Sequence, residues 1–303
     1  MSPAPSNPQS SQRRTVHVPV MLHEVLEHLA LSPGLTVVDG TLGAGGHSSF
    51  ILKQLGPDGI LIGLDRDQSM IDRAAQVVQG TNVRLVQSSY RELGTVLDDL
   101  GIEKVDRVLL DLGLSSDQLA DRQRGFGFQT SAPLDMRFDG SSGESAGELL
   151  NRASQQEITD LLVEFGEVDQ ADRISRQIIQ QRSQGKMQTA ADLKEAVETA
   201  VGVRSRGSHP ATQVFQALRI AVNQELEHLN HFLQTVLPER LRAGGLAAII
   251  SFHSLEDRLV KNAFREVTLW NTLTRKPVAP TPSEIRLNPR ARSAKLRVAE
   301  RLP

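Results

Sequence analysis

The amino-acid sequence predicts an α/β protein with a doubly wound parallel sheet and an inserted, mainly helical domain. Short runs rich in Val, Ile and Leu, with little alternation, are typical of strands buried on both faces of a parallel sheet. In this chain such runs alternate with helical or turn segments, then stop, and one more returns after a long stretch of helical periodicity. The runs are residues 35–39, 60–65, 83–87, 105–112 and 246–252.

The segments around these runs can be assigned in chain order. Residues 1–15 are rich in Ser, Pro and Gln without apolar periodicity, so we expect them to be disordered. Residues 16–31 carry apolar side chains at helical spacing. Four later helices and a last strand-like run are predicted at 155–166, 172–183, 189–201, 211–237 and 294–300. The helix predicted at 189 opens with Thr-x-x-Asp, the pattern of a capping box.

This order divides the chain into a core in two parts and an insert. We predict that residues 16–120 form the first part of the core and that residues 121–215 form the helical insert, which binds the substrate. Residues 216–303 then form the second part of the core and a basic C-terminal tail.

The composition excludes several classes of protein. The 303 residues include no cysteine, which excludes disulfides, thiolate metal sites, iron–sulfur clusters and cysteine nucleophiles. No apolar run approaches the roughly 18 residues of a membrane helix. We therefore expect no membrane association. No His, Asp or Glu cluster has clear metal-ligand spacing, so we also expect no protein-bound metal. Without cysteines or a secretory signal, a cytoplasmic location is expected.

The charge is distributed unevenly. The formal net charge of −2 divides into +6 for residues 275–303 and −8 for the rest of the chain. A basic segment on an acidic body predicts a local contact with a polyanion, although a solvated segment would have the same composition.

A glycine-rich turn follows the first predicted strand. It reads DGTLGAGGHS over residues 39–48, and Asp65 ends the next strand. Glycines let the backbone approach a ligand closely at the start of a helix, and an acid after the second strand can bind the hydroxyls of a ribose. The pattern fits an S-adenosylmethionine (SAM) methyltransferase. It also leaves open a nicotinamide-dependent oxidoreductase, although Ser48 replaces the third glycine, and a ligand-free structural domain.

Eight blocks of sequence resemble those of the bacterial ribosomal RNA small-subunit methyltransferase H family. They lie in order between about residue 17 and residue 301, and Gln213 stands where the family has Arg. The blocks are DGTLGAGGHS (39–48), LDRD (64–67), LLDLGLSSDQL (109–119), RGFGF (124–128), PLDMRFD (133–139), HPATQVFQALRIAVNQEL (209–226), SFHSLEDRLVK (251–261) and NPRARSAKLRVAER (288–301).

This resemblance implies a Rossmann-like class I SAM-dependent methyltransferase core. It also implies methyl transfer to the N4 amino group of a cytosine in 16S rRNA, at the decoding centre. The partner is then naked 16S rRNA or the small ribosomal subunit. An RNA-binding assembly factor with a vestigial SAM site stays open as an alternative.

The resemblance also implies a set of cofactor-binding residues. They are Gly45, Gly46 and His47 in the turn, Asp65 at the ribose, Tyr90 against the adenine, and Asp111 and Gln118 as further contacts. Alternatives that do not involve a ligand are a solvent-facing His47 at a helix start and a Tyr90 at the edge of the core.

The group that accepts the amino proton is not settled by a motif. Many amino-methyltransferases place an acid or amide, two prolines and an aromatic residue after the fourth strand, whereas this chain continues from Asp111 with Leu-Gly-Leu. We consider three candidate acceptors: Asp111, Asp135 and His253. Asp135 could instead pair with Arg137, and His253 could cap a helix. Because carbon-5 methylation of cytosine commonly uses a cysteine, the absence of cysteine independently favours methylation of a nitrogen.

Three basic elements are candidate RNA contacts. They are Arg124 and Phe126 with their neighbours Arg122 and Phe128, then Arg204 and Arg206, and then Arg290 and Arg292 with the following Lys295 and Arg297. The alternatives are hydrophobic anchoring for the aromatic pair and solvated charge for the others.

Overall fold

The structure is a computed structural model that describes residues 19–115, 118–119, 121, 123–127, 131–202 and 209–303. None of the helices in this part of the chain combines the length and the apolar composition that crossing a bilayer requires.

Short 3₁₀ turns lie at Tyr90–Glu92 and Pro289–Ser293, and a π-helical turn at Phe232–Val236. The helices and strands are α1 (Leu22–Leu29), β1 (Thr36–Asp39), α2 (Gly46–Leu55), β2 (Ile60–Asp65), α3 (Gln68–Ala74), β3 (Val83–Gln87), α4 (Leu93–Asp99), β4 (Val105–Asp111), α5 (Ala146–Arg152), α6 (Gln155–Gly166), α7 (Ala171–Arg182), α8 (Ala190–Val201), α9 (Ala211–Asn223), α10 (Glu225–His231), α11 (Leu237–Arg240), β5 (Leu241–Ser251), α12 (Ser254–Ala263), β6 (Trp270–Thr272), α13 (Pro282–Leu287) and β7 (Lys295–Arg301).

The described strands form one seven-stranded sheet in the order β3-β2-β1-β4-β5-β7-β6. The first five are parallel, and β7 is antiparallel to both β5 and β6. The prediction of a doubly wound α/β fold is therefore confirmed, and each predicted run forms a strand. The run at 294–300 joins the sheet as β7. Strand β6 was not predicted, because three residues are too few to show a periodicity.

Helices cover both faces of the sheet. Helices α1 and α2 bury Val25 and Ile51 on one face, and α4 and the π-helical turn bury Leu97 and Phe232 on the other. The central strands are buried from both sides, which explains why their sequences do not alternate. Because β1, β2 and β4 are parallel neighbours, the polar side chains at their carboxyl ends meet at one edge of the sheet.

The insert has a hydrophobic core of its own. It joins α5 to α9 and the loop before them, from Phe126 to Leu218. Helix α6 has the predicted bounds, and the capping box at Thr189 and Asp192 is present. The division of the chain at residue 215 stays a prediction, although Leu218 packs with the insert.

The prediction of one continuous helix over 211–237 is wrong. The chain breaks at Gln224, whose φ is 52°, and α10 starts in a new direction. The side chain of Asn223 explains the break, because it donates to the carbonyls of Met136 (2.7 Å) and Arg219 (2.9 Å) and accepts from the Phe138 amide (2.7 Å). Arg66 in turn donates to the Asn223 carbonyl (2.7 Å), which has no partner within the helix.

The basic C-terminal segment is partly internal. Arg297 is 5% exposed and its Nε donates to Oδ1 of Asp257 at 2.6 Å. Lys295 lies 3.3 Å from the same carboxylate. The expectation of a side chain that faces RNA or solvent is therefore wrong for Arg297, which β7 brings into the sheet beside α12, whereas the side chain of Lys295 is 43% exposed.

We expect Asn223→Ala to lower the free energy of unfolding by about 2–4 kcal/mol. The substitution leaves the partly buried amide of Phe138 and the carbonyl of Met136 without their partners. The control is Asn271→Ala on the edge strand β6, where the exposed side chain bonds only to Glu300; its effect should stay within about 0.5 kcal/mol. Chemical denaturation of both variants gives the values, and equal losses would contradict the role given to Asn223.

Candidate active site

A cavity of about 850 Å³ opens at the carboxyl ends of β1, β2 and β4. Its size is that of a small-molecule site, and ligands of open α/β sheets bind at this edge. All seven predicted cofactor-binding residues line it. They are Gly45, Gly46, His47, Asp65, Tyr90, Asp111 and Gln118.

The glycine turn brings backbone to the cavity wall. Gly43 and Gly45 have φ of 52° and 84°, a conformation that favours glycine. A Cβ on Gly45 would lie 2.6 Å from the Val78 side chain, and one on Gly46 would lie 2.8 Å from the Pro19 ring. Positions 45 and 46 therefore have no space for a side chain, and the turn leads directly into α2.

Asp65 is placed to hold a ribose. Its Oδ2 accepts from the Gly43 amide (2.8 Å) and its Oδ1 from the Asp67 amide (2.9 Å). Each oxygen keeps a second lone pair, so both can still accept from a diol. Burial raises the pKa of Asp65 to about 6. The glycine turn and this carboxyl together fit a nucleoside cofactor.

His47 is buried beside Asp111. Its Nε2 lies 2.9 Å from the Val20 carbonyl, and burial lowers its pKa to about 4. The ring is therefore neutral, with its proton on Nε2, and its Nδ1, 3.7 Å from Asp111 Oδ2, forms no ion pair. The alternative of a solvent-facing His47 is wrong.

Asp111 is a carboxyl whose ionisation is governed mainly by its burial. Its Oδ1 has no hydrogen bond within the described chain. Burial raises its pKa to about 8, with the nearby carboxyls of Asp39 and Glu256 adding to the effect and Arg290 opposing it. The site thus holds an acceptor whose pKa lies near neutrality.

The other wall of the cavity comes from residues that sequence reasoning missed. Arg66, Arg219, Glu225, His228 and Glu256 line it. Burial, together with Arg66 and Arg91, lowers the pKa of His228 to about 4. Arg66, Arg219, Glu225 and Glu256 lie within the sequence blocks given above. Nothing in those blocks placed them at the cavity, since the break at Gln224 is what brings α10 there.

The other two candidate acceptors lie outside the cavity lining. Asp135 is held by Arg137 through two 2.8 Å hydrogen bonds, which lower its pKa despite the opposing effect of burial. His253 caps α12, with Nδ1 accepting from the Glu256 amide. The structure therefore has the alternatives named in the sequence analysis, the pairing of Asp135 with Arg137 and the helix cap of His253. Of the three candidates, Asp111 is the one that lines the cavity.

The candidate RNA contacts are placed differently from one another. Phe126 is 6% exposed and packs on Phe138 at 5.9 Å. Arg124 is bound to Asp67 and to the carbonyls of Arg137 and Phe138. The expectation that these two hold RNA is corrected, because Phe126 packs in the hydrophobic core of the insert and Arg124 links the insert to Asp67 of the core.

The remaining basic candidates include one at the cavity itself. Arg290 lines the cavity, and Arg292 is exposed on the same turn. Arg122, Phe128, Arg204 and Arg206 lie outside the described residues.

A profile of the MraW methylase family matches residues 14–302 of this chain. The chain belongs to this family. The family is one of methylases, so the alternatives of an oxidoreductase and of a structural domain do not hold. The sheet, with an antiparallel β7 between β5 and β6, is the Rossmann-like core of class I SAM methyltransferases.

Relatives named ribosomal RNA small subunit methyltransferase H match this MraW-family chain over nearly its whole length. Those from Trichlorobacter lovleyi and Solidesulfovibrio magneticus are 44% and 46% identical, over 94% and 95% of this chain and 98% and 96% of theirs. That from a Cyanothece species is 45% identical over 97% of this chain and 98% of its own. A solved rRNA methylase from Streptococcus thermophilus is 11% identical with a TM-score of 0.41, covering 95% and 99% of the two chains. The family assignment rests on the sequence matches.

We expect Asp111→Asn to flatten the dependence of stability on pH. Between pH 5 and 8 the unfolded carboxyl, with a pKa near 4, releases a proton that the folded one, with a pKa of about 8, retains. The free energy of unfolding of the wild type therefore falls as pH rises, and this group contributes at most about 1.4 kcal/mol per pH unit. Denaturation at pH 5, 6.5 and 8 measures the slope.

The control for this experiment is Asp135→Asn. Because the pKa of Asp135 is lowered, that group is ionised in both states across this range. The variant should lose stability without changing the slope. If Asp111→Asn left the slope as in the wild type, a raised pKa of Asp111 would be excluded.

Proposed function

We propose that this protein transfers a methyl group from SAM to the N4 amino group of a cytosine in small-subunit rRNA, at the decoding centre. The observation that carries the proposal is the Asp111 carboxyl, with an oxygen that no described residue hydrogen-bonds, in the same cavity as the glycine turn and Asp65. The names of the relatives support rRNA of the small subunit as the substrate. A protein that acts on ribosomal subunits would work in the cytoplasm.

In the proposed cofactor site, different residues along the edge of the sheet bind different parts of the cofactor. Asp65 binds the ribose hydroxyls, Tyr90 packs against the adenine from the end of β3, and the turn at Gly45 and Gly46 follows the remainder of the nucleoside. SAM supplies an electrophilic methyl group on a sulfonium. Gln118 supports this arrangement, because its Nε2 donates to Asp67, two residues beyond the ribose acid (3.2 Å).

The proposed acceptor is Asp111. The lone pair of a cytosine amino group is conjugated into the ring, so a carboxylate that accepts one N–H favours the pyramidal nitrogen that attacks, and then takes the proton. A base is most effective when its pKa lies near the working pH, and the pKa of Asp111 is about 8. The cavity aligns the reactants, which is the main requirement of an in-line methyl transfer.

The RNA contact is proposed for the side of the cavity that carries Arg290. This residue and the exposed Arg292 belong to one 3₁₀ turn, and cations there suit the phosphates around a target nucleotide. Arg204 and Arg206 remain candidates from the sequence.

The activity is tested with small ribosomal subunits from cells that lack this modification. Incubation with SAM should yield N4-methylcytidine on nucleoside mass analysis. Another methylated nucleoside would refute the proposed target atom. Binding of subunits without methyl transfer would favour an assembly factor with a vestigial site.

We expect Asp111→Asn to lower kcat by about 10²–10⁴-fold, because the amide cannot take a proton. Wild-type kcat should rise with pH as Asp111 ionises, whereas the variant should show no such rise. SAM affinity, measured by calorimetry, separates the acceptor role from a cofactor contact. A variant with normal kcat at saturating SAM would exclude Asp111 as the acceptor.

A further inference from the structure

The wall of the cavity opposite the glycine turn contains a buried ion pair. Arg219 donates from Nε to Glu225 Oε1 (2.8 Å) and from Nη2 to Oε2 (3.0 Å). The two side chains are only 14% and 8% exposed. A two-pronged pair of this kind fixes the plane of the guanidinium as well as its position.

This pair exists because the helix breaks. In a continuous α-helix, residues six apart lie about 240° apart around the axis and cannot pair. The φ of 52° at Gln224 turns the chain, so that Glu225 comes back against Arg219. The break therefore builds a fixed cation into the cavity wall.

One nitrogen of Arg219 takes no part in the ion pair with Glu225. A guanidinium has five N–H donors, and Nη1 of Arg219 donates to no atom of the described chain. Arg219 lines the cavity, and Nη1 is the nitrogen of its guanidinium that the ion pair leaves available to a ligand there. A ligand group that binds this nitrogen must be a hydrogen-bond acceptor.

Asp111 lines the same cavity, and it offers a hydrogen-bond acceptor where Arg219 offers a donor. Glu256 is within electrostatic reach of both Asp111 and Arg219, and its own carboxylate is occupied by the Phe252 amide (2.8 Å) and His253. Asp111 Oδ1 has an unused capacity to accept a hydrogen bond, and Arg219 Nη1 has an unused capacity to donate one. Cytosine has the matching edge, because its amino group is a donor and its neighbouring N3 and O2 are acceptors. Uracil has the reverse pattern, an acceptor at O4 and a donor at N3.

We propose that Arg219 is a specificity-determining residue that donates to the N3 edge of the target cytosine while Asp111 accepts from its amino group. This proposal rests on the proposed function. It adds that base selection depends on a cation that the break at Gln224 holds in place.

The test compares two substrates and three proteins. Small subunits are reconstituted with 16S rRNA that carries cytidine or 3-deazacytidine at the target, since the analogue lacks the N3 acceptor. The variant is Arg219→Met with Glu225→Gln, because removing Arg219 alone would leave a buried carboxylate unpaired. The control is Arg152→Met with Glu144→Gln, which removes an exposed pair of the same two-pronged geometry from the insert. Thermal unfolding confirms that all three proteins are folded.

In the wild type and the control we expect the analogue to lower kcat/KM by roughly tenfold to hundredfold, the scale of a hydrogen bond from a charged donor. In the Arg219 variant this penalty should shrink at least tenfold, with SAM affinity unchanged. Equal penalties in all three proteins would overturn the proposal. So would a rise of more than tenfold in the SAM Kd of the variant, which would assign Arg219 to the cofactor. A wild type that does not methylate the cytidine substrate would refute the proposed function itself.

Discussion

Hydrogen bonds at Asn223 hold the insert against the end of β2. The side chain of Asn223 binds the loop that carries Met136 and Phe138, and Arg66 binds its main-chain carbonyl. Arg66 lies next to Asp65, the proposed ribose-binding acid, so the two parts of the chain meet directly beside the cavity. If this junction loosened, the wall that carries Arg219 and Glu225 would separate from the edge of the sheet.

The carboxyls at the ends of β1, β2 and β4 favour a positively charged ligand beside them. The pKa values of Asp39, Asp65 and Asp111 are all raised mainly by burial, which the contacts within the described residues offset only in part. The ring of His47 is neutral and cannot compensate. A sulfonium or an ammonium group bound nearby would relieve part of this cost, which fits the cofactor inferred from the family.

Much of the sheet and most of the cofactor wall could be predicted from the sequence, because both depend on local patterns. Buried parallel strands produce continuous apolar runs, and the glycine turn and Asp65 follow two such runs directly. The break at Gln224 could not be predicted, because its cause is a loop nearly ninety positions earlier in the chain. Phe126 was misplaced for a related reason: an aromatic residue shortly after two arginines looks the same in sequence whether it stacks on a base or anchors a loop.

The pairing of β4 with β5 has a consequence for how the chain folds. Asp111 and Ile250 are neighbours in the sheet, yet the whole insert lies between them in sequence. Closing so long a loop is entropically costly and slows folding. Because the insert has its own hydrophobic core, it can collapse first and shorten the effective loop. The rate at which the sheet closes should therefore follow the stability of a domain that contributes none of its strands.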